Sequence, residues 1–492
     1  SVQALYHPDR ISAPLVRTGP RGSGEYSEIS WTDAIARLTG ALNDLDDQGN
    51  LDHAVLVTNP IGGHLGLVVD KFVSASGCRH LTHEPIETAS VRQAIKEVFS
   101  QDAYPDFDIN NADLVLSFGA DFLSTWVSPT RYSRGYGEFR QGHDHRGKLI
   151  HIESRFSHTA ANADQWVRPN PGTEGILALA IIQEIVSHES PDPSVVETLT
   201  GGDPSWLDSY APDNVAARTG VEADVIRHIA HDFSHASHPI SVGGGSAAAH
   251  SNGLSAMKAV FSLNHLAGNI GTKGGVILNP VSPLRGVNPV GPGNSFSDFQ
   301  RLTEDMQAGN VELLMVRGAD PYYGIPKVAS FQERLANVPL IVSFSNMMDD
   351  TTSVADLILP EHNFLEDWGT DVPLAGVGYQ TVGFQQPVVR PFFENRGENL
   401  GTKGFADILL TSAQVMEKDL GFSSDTFKDV IRDGARELYQ RGGGSVEAPS
   451  FEAFWNGILQ RGGWWDVEST GPSSASPVPL DSVSEPIISG NG

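Results

Sequence analysis

Ile152-Glu153-Ser154-Arg155 ends an apolar run with an acid two residues ahead of a base, and Thr159, Asp164 and Pro171-Gly172-Thr173 follow. A strand-end carboxylate can bind ribose hydroxyls, an arginine can hold a phosphate, and the free amides of a helix opening after Pro171 can receive an anion. Taken one at a time, the same residues also describe a salt-bridged surface loop. Leu116-Ser117-Phe118-Gly119-Ala120-Asp121 sets a glycine and a short acid after another apolar run, where backbone either approaches a ligand or simply turns. Val242-Gly243-Gly244-Gly245-Ser246, with His250 and Gly253 beyond it, follows the same logic with more glycine, and Arg317-Gly318-Ala319-Asp320-Pro321 repeats it. The glycines of Val242–Ser246 lack G-x-G-x-x-G spacing with an acid about twenty residues on, which disfavours a nicotinamide-dependent dehydrogenase.

Histidines 80, 83, 143, 145, 151 and 158 invite a metal reading. His143-Asp144-His145 lacks further ligands at a recognised spacing, and His80 and His83 would need Glu84 or Glu87 brought in by the fold. Hydrogen-bonded or solvated imidazoles are the expectation. The single cysteine, Cys78, forms no intrachain disulfide and cannot by itself hold an iron-sulfur cluster, so it reads as a small buried hydrophobe. Spacing identifies no Ser-His-Asp triad.

Short apolar runs at 54–58, 113–118, 148–152, 239–242, 311–316 and 339–344 alternate with helical patterns, which predicts βαβ units and a mainly parallel sheet. Several of these strands end in Gly or small polar residues, at the carboxyl edge where open α/β sheets hold ligands. Ser30 is placed to cap a helix beginning at Trp31, with Asp33 favouring its positive end. The segment after Thr173, GILALAIIQEIV, is apolar on nearly all sides and predicts a buried helix. Another helix is predicted from Leu254 to Ala267, with Met257 and Phe261 in the core and Gly268 ending it.

The 492 residues allow a sizeable core and two to four domains, and no apolar run is long enough for a membrane span. Sixty acidic against 33 basic residues give a net charge of -27, which disfavours nucleic acid as a partner. Starting at Ser1, the chain reads as a processed product or a fragment. The expected division is an N-terminal remnant over 1–50, a discontinuous α/β domain over 51–160 and 335–465, and an inserted Rossmann-like domain over 161–334. Residues 466–492, with seven Ser, four Pro and no Lys or Arg, read as a linker or extended arm.

From Leu5 to about Trp465 the order of segments resembles the molybdopterin oxidoreductases of the dimethyl sulfoxide reductase superfamily. The segments are LYHPDR (5–10), the Gly-Ala-Asp turn at 119–121, IESR (152–155), RPNPGTEG (168–175), the triple glycine, LNHLAGNIGTKGG (263–275), RGADP (317–321) and ADLILPEHNFLEDWGT (355–370). The resemblance implies a multi-domain α/β body with parallel-sheet Rossmann-like domains. It also implies pterin guanine dinucleotide contacts at Asp121, Glu153, Arg155, Thr173, Gly243, Gly244, Gly245 and Asp320, should a cofactor be retained.

The chain departs from the family at several points. No cysteine-rich cluster segment precedes Leu5, and the C-terminal β-barrel that closes the pterin pocket is expected to be absent. Leu81 or Thr82 stands where members bind the metal through Cys, selenocysteine, Ser or Asp. Ser345 replaces an acidic strand-end residue, and Asp356 is expected to support the fold rather than a cofactor. The run Leu116–Trp126, with Gln386–Pro391 and Gly404–Leu410, is similar to the molybdopterin-like subunits of alternative complex III and menaquinone reductase complexes. That likeness implies a structural subunit of a quinol-oxidising complex on the outer, periplasmic face of the membrane, exported by a twin-arginine route. Such a subunit has no molybdenum cofactor and does no chemistry of its own. The implied partners are an iron-sulfur ferredoxin-like domain or subunit, a multihaem cytochrome c and integral membrane quinol-binding subunits. The alternatives are an active molybdenum or tungsten bis-pterin oxidoreductase acting on polysulfide or thiosulfate, and a complex I-type module.

Overall fold

A computed structural model of the protein describes residues 2–86, 88–141, 146–393, 398–399 and 401–487. Its strands up to residue 358 are, in chain order, β1 (Leu15–Arg17), β2 (Tyr26–Glu28), β3 (Ala54–Thr58), β4 (Arg79–Thr82), β5 (Asp106–Phe107), β6 (Leu114–Phe118), β7 (Lys148–Ile152), β8 (Gln165–Val167), β9 (Pro239–Gly243), β10 (Val276–Ile277), β11 (Leu313–Arg317), β12 (Leu340–Ser343) and β13 (Leu357–Ile358). They belong to two units. Unit 1 is 1–87, 282–373 and 381–466; unit 2 is 88–281, 374–380 and 467–492.

In unit 1 the sheet order is β2-β1-β13-β12-β11-β3-β4. The strands from β13 to β4 run parallel, with Met315 beside Leu56 on one flank and Val342 on the other, while β1 and β2 add an antiparallel edge. Alternation along the strands divides the apolar side chains between two faces. Leu56, Met315 and Val342 share a core with the helices Trp31–Gln48, Gly63–Ser76 and Phe405–Val415. Val55, Leu314 and Ile341 share another with the helices Phe296–Ala308 and Phe331–Leu335. Ser30 caps the first of these helices as predicted, its hydroxyl accepting from the Asp33 amide at 3.1 Å.

In unit 2 the order is β8-β7-β6-β9, all parallel. The helix Glu174–His188 is buried continuously from Glu174 to Gln183, as its all-round apolar sequence requires. It packs against Gly253–Leu266, where Gly175 lets the two backbones approach: a Cβ there would lie 2.5 Å from that of Ala256. Gly253–Leu266 is itself buried on nearly all sides, because the helix Ala89–Phe99 and β9 flank it as well. Residues 467–487 lie along unit 2 as an extended arm. Val483 is 1% exposed, its amide and carbonyl both bonded to the Tyr210 hydroxyl, and Lys258 pairs with Asp481.

The expected boundaries at 160 and 334 are corrected by strand pairing. β6 and β7 join β9, so the inserted unit opens at 88, whereas β11 joins β3 and so lies outside the insertion. Residues 1–50 supply two sheet strands and a core helix rather than a remnant. An apolar run announces a strand but not its neighbour, because parallel pairing is made through a crossover. Among the described residues no sheet closes into a barrel, and no helix is long and apolar enough to cross a membrane.

The two units repeat one device. Gly119 and Gly318 turn the chain after β6 and β11 at φ 64° and 63°. Asp121 then accepts from the amide and hydroxyl of Thr159 at 3.0 and 2.6 Å, and Asp320 accepts from those of Thr351 at the same two distances. Further along, Asp164 and Asp356 each clasp the neighbouring strand, accepting from the amides of Leu149 and Ile341 at 2.8 Å. The Ala-Asp that opens ADLILP therefore has a counterpart in Ala163-Asp164. Arg17 and Arg21 complete the role of Asp356 as a structural anchor.

Candidate functional site

Each parallel sheet has a point at which the chain departs in opposite directions. In unit 2 it lies between β6 and β9, and in unit 1 between β3 and β11. Crevices outside the carboxyl ends of the strands at such points are where open α/β sheets bind ligands.

Unit 2 contains all the expected contact residues except Asp320, and engages them with its own groups. Glu153 is 1% exposed and receives His151 Nε2 at 3.0 Å, Ser246 Oγ at 3.2 Å and Arg155 Nε at 3.3 Å. Burial pushes its pKa up, but bonds from His151 and Ser157 and the charges of His151 and Arg155 outweigh this and hold it below the usual glutamate range. Asp121 is taken by Thr159 and, at 3.4 Å, by Arg155. The glycines serve packing. A Cβ on Gly119 would lie 2.6 Å from the Gly244 carbonyl, and one on Gly244 would lie 2.5 Å from the indole nitrogen of Trp126. That indole donates to the Gly243 carbonyl at 3.2 Å, so Trp126 fills the turn. Thr173 is buried and donates to the Asn170 carbonyl, while Pro486 of the arm lies against Gly172 beside it. Glu174 is 1% exposed with no side-chain partner; burial, opposed by the backbone at Glu174 and Gly172 and aided by the charge of Glu153, pushes its pKa up to about 7.

The edge expected to meet a pterin guanine dinucleotide is occupied here by the chain's own groups. Its hydroxyl acceptors are committed, its anion-binding helix start is covered, and its glycine turn holds a tryptophan. Arg155, the most exposed of the group, is the one free to turn outward.

In unit 1 a cavity of about 480 Å³ opens at the switch point, between Asn59–Gly62 after β3 and Arg317-Gly318 after β11. Glu361, His362, Asp367, Trp368 and Asp371 complete its wall. Arg317 is already paired with Glu361 at 2.9 Å and with Asn59 at 3.0 Å. Burial raises the pKa of Glu361 and Asp371, and burial with the charges of Asp407 and Glu361 pushes Asp367 up to about 7. Burial lowers that of His362, which bonds Thr402 at 2.7 Å. Such a wall can exchange protons near neutrality and hold a polar molecule. Asp320, although in this unit, is committed to Thr351.

The metal-binding position is expected at Leu81 or Thr82. Leu81 and Thr82 lie in β4, with Leu81 packed on the core and the Thr82 backbone paired with Asn294. Neither is a thiolate, selenolate or carboxylate. Ser345 turns its hydroxyl to the Met347 carbonyl. His80 and His151 are hydrogen-bonded, to Thr58 at 2.8 Å and to Ser117 at 3.0 Å, and His83 packs edge-on to Phe299. His143, Asp144, His145 and Glu87 lie outside the described residues. Cys78 is buried, which raises its pKa. Sequence reasoning missed the unit 1 cavity, although its acids crowd the stretch Glu361–Asp371, and it missed the plugging role of Trp126.

The chain is 28% identical over 442 residues to the menaquinone reductase molybdopterin-binding-like subunit of Nitratidesulfovibrio vulgaris, an overlap covering 88% of this chain and 60% of that protein. It is 24% identical over 451 residues to the thiosulfate reductase molybdopterin-containing subunit PhsA of Salmonella typhimurium, covering 81% and 58%. In both comparisons it spans less than two thirds of the relative. The solved structure of acetylene hydratase from Pelobacter acetylenicus shares the fold, with a TM-score of 0.68 at 20% identity over 84% of this chain and 62% of that one. The family model of the molybdopterin oxidoreductases matches residues 10–399, most of the two switch-point sheets and their loops, and the chain belongs to that family.

Proposed function

We propose that the chain is a structural subunit of a membrane-associated, quinone-linked electron-transfer complex, without a molybdenum cofactor of its own and without bond chemistry of its own. The observation that carries this reading is Trp126 seated in the Gly243-Gly244 turn, beside the glycines expected to meet a dinucleotide. Leu81 at the metal-binding position and the likeness to a molybdopterin-binding-like subunit of a menaquinone reductase support it. The proposed partners are an iron-sulfur ferredoxin-like domain or subunit, a multihaem cytochrome c and integral membrane quinol-binding subunits, with the assembly on the periplasmic face. Elemental analysis and pterin fluorescence of the purified complex test it. Only substoichiometric molybdenum or tungsten and no pterin are expected; a stoichiometric metal with pterin overturns the proposal.

The likeness to a thiosulfate reductase subunit favours a second reading, an active molybdenum or tungsten oxidoreductase of the polysulfide or thiosulfate type. It requires pterin in that same assay and reduction of such a substrate by the purified complex.

A further inference from the structure

Glu189 caps the carboxyl end of the helix Glu174–His188, and the helix Ala223–His235 packs alongside with His231 and His235 in its last turns. The two imidazoles are one helical turn apart on one face, with ring centroids 4.0 Å apart. His231 Nδ1 lies 3.2 Å from one oxygen of Glu189 and His235 Nδ1 lies 3.7 Å from the other. Among the described residues this is the group of three such side chains that offers ligand atoms all within 4.8 Å of one another.

We propose that Glu189, His231 and His235 form a binding site for a borderline divalent cation of the zinc class. The donor set fits that class: two imidazoles and a carboxylate suit Zn²⁺, Ni²⁺ or Cu²⁺, and not Ca²⁺ or Mg²⁺, which take oxygen ligands. Bonds of about 2.0–2.1 Å in a tetrahedron set ligand atoms about 3.3 Å apart, close to the spacing present. Both rings are more than half exposed and free to rotate the remaining distance. His235 Nδ1 also lies 3.0 Å from the His231 carbonyl, a contact that binding a metal through Nδ1 replaces.

The local field favours a cation. Glu189 is largely shielded, at 18% side-chain exposure, and no Lys or Arg pairs with it among the described ion pairs. The carboxyl ends of two helices converge on the same point, adding the negative poles of their dipoles. Three protein donors leave a fourth position for water or for a donor from another chain. The site ties the ends of two packed helices together and lies away from the strand edge that holds Asp121 and Glu153.

The test is calorimetric titration of the chelator-treated full chain with Zn²⁺ at pH 7.5. One equivalent is expected to bind in the micromolar range. His231→Ala, His235→Ala and Glu189→Gln should each weaken it at least tenfold, and His188→Ala on the neighbouring turn should leave it unchanged. Co²⁺ should give the visible absorption of a tetrahedral N/O site in the unaltered chain and lose it in His231→Ala. Absence of a one-equivalent site, or equal affinity in all variants, overturns the proposal. These side chains lie at the surface, and circular dichroism of each variant separates loss of binding from loss of fold.

Discussion

Glu366 and Glu174 are both buried carboxylates in different circumstances. Glu366 receives the Arg10 guanidinium through two bonds of 2.7 Å, in a pair whose side chains are 1% and 2% exposed. Glu174 has no side-chain partner, and burial, opposed by the backbone at Glu174 and Gly172, pushes it up to about 7. The sign of the resulting pH dependence follows. The folded state holds this proton more tightly than the unfolded chain, whose group titrates near 4.5, so the contribution of Glu174 to stability falls as pH rises from about 4.5 to 7 and the full cost is present above 7. A rise of that size corresponds to about 3 kcal/mol at most. Urea unfolding at pH 4.5 and pH 8 should show Glu174→Gln losing less stability than the unaltered chain across the interval, and parallel losses would refute it. Little of this was legible in sequence. Arg10 and Glu366 are 356 positions apart, and nothing local marks Glu174 as the acid that finds no side-chain donor.

At the scale of elements, the Gly-Ala-Asp turns were legible as strand ends and are used twice in one way, with Asp121 and Asp320 each bound to a threonine of a following short helix. Their surroundings differ. A side chain on Gly119 meets backbone, the Gly244 carbonyl and the Ala247 amide, whereas one on Gly318 meets the side chain of Asn59, which can rotate. Both glycines carry the left-handed conformation, which costs an L-residue roughly 1–2 kcal/mol. Gly318→Ala should therefore destabilise by about that amount, and Gly119→Ala by more than about 3 kcal/mol once the clash is added. Equal shifts in denaturation midpoint would show that the backbone contact at Gly244 yields. The strands themselves were well read, with 54–58 and 148–152 matching β3 and β7. The His231/His235 spacing was present to be read as a ligand pair, but Glu189 comes from another helix and only packing brings it there.

For the whole molecule, the Ser- and Pro-rich tail reads as linker or arm from composition, and its docking depends on what unit 2 offers. Burying Val483 is worth about 2 kcal/mol. Removing residues 472–492 should lower the stability of unit 2 by at least that amount and speed amide exchange at the start of the helix Glu174–His188, read by mass spectrometry; unchanged exchange would show that the arm contributes nothing. By itself the sequence determined the strands, the capped and buried helices and the family, because periodicity, caps and motif order are local properties of the chain. The tertiary structure decided that β11 joins β3 and that β6 joins β9, that Trp126 fills one switch point, and that the acids of Glu361–Asp371 wall a cavity at the other. Those outcomes depend on which distant segments pair and pack, and an apolar or acidic residue carries no mark of its partner.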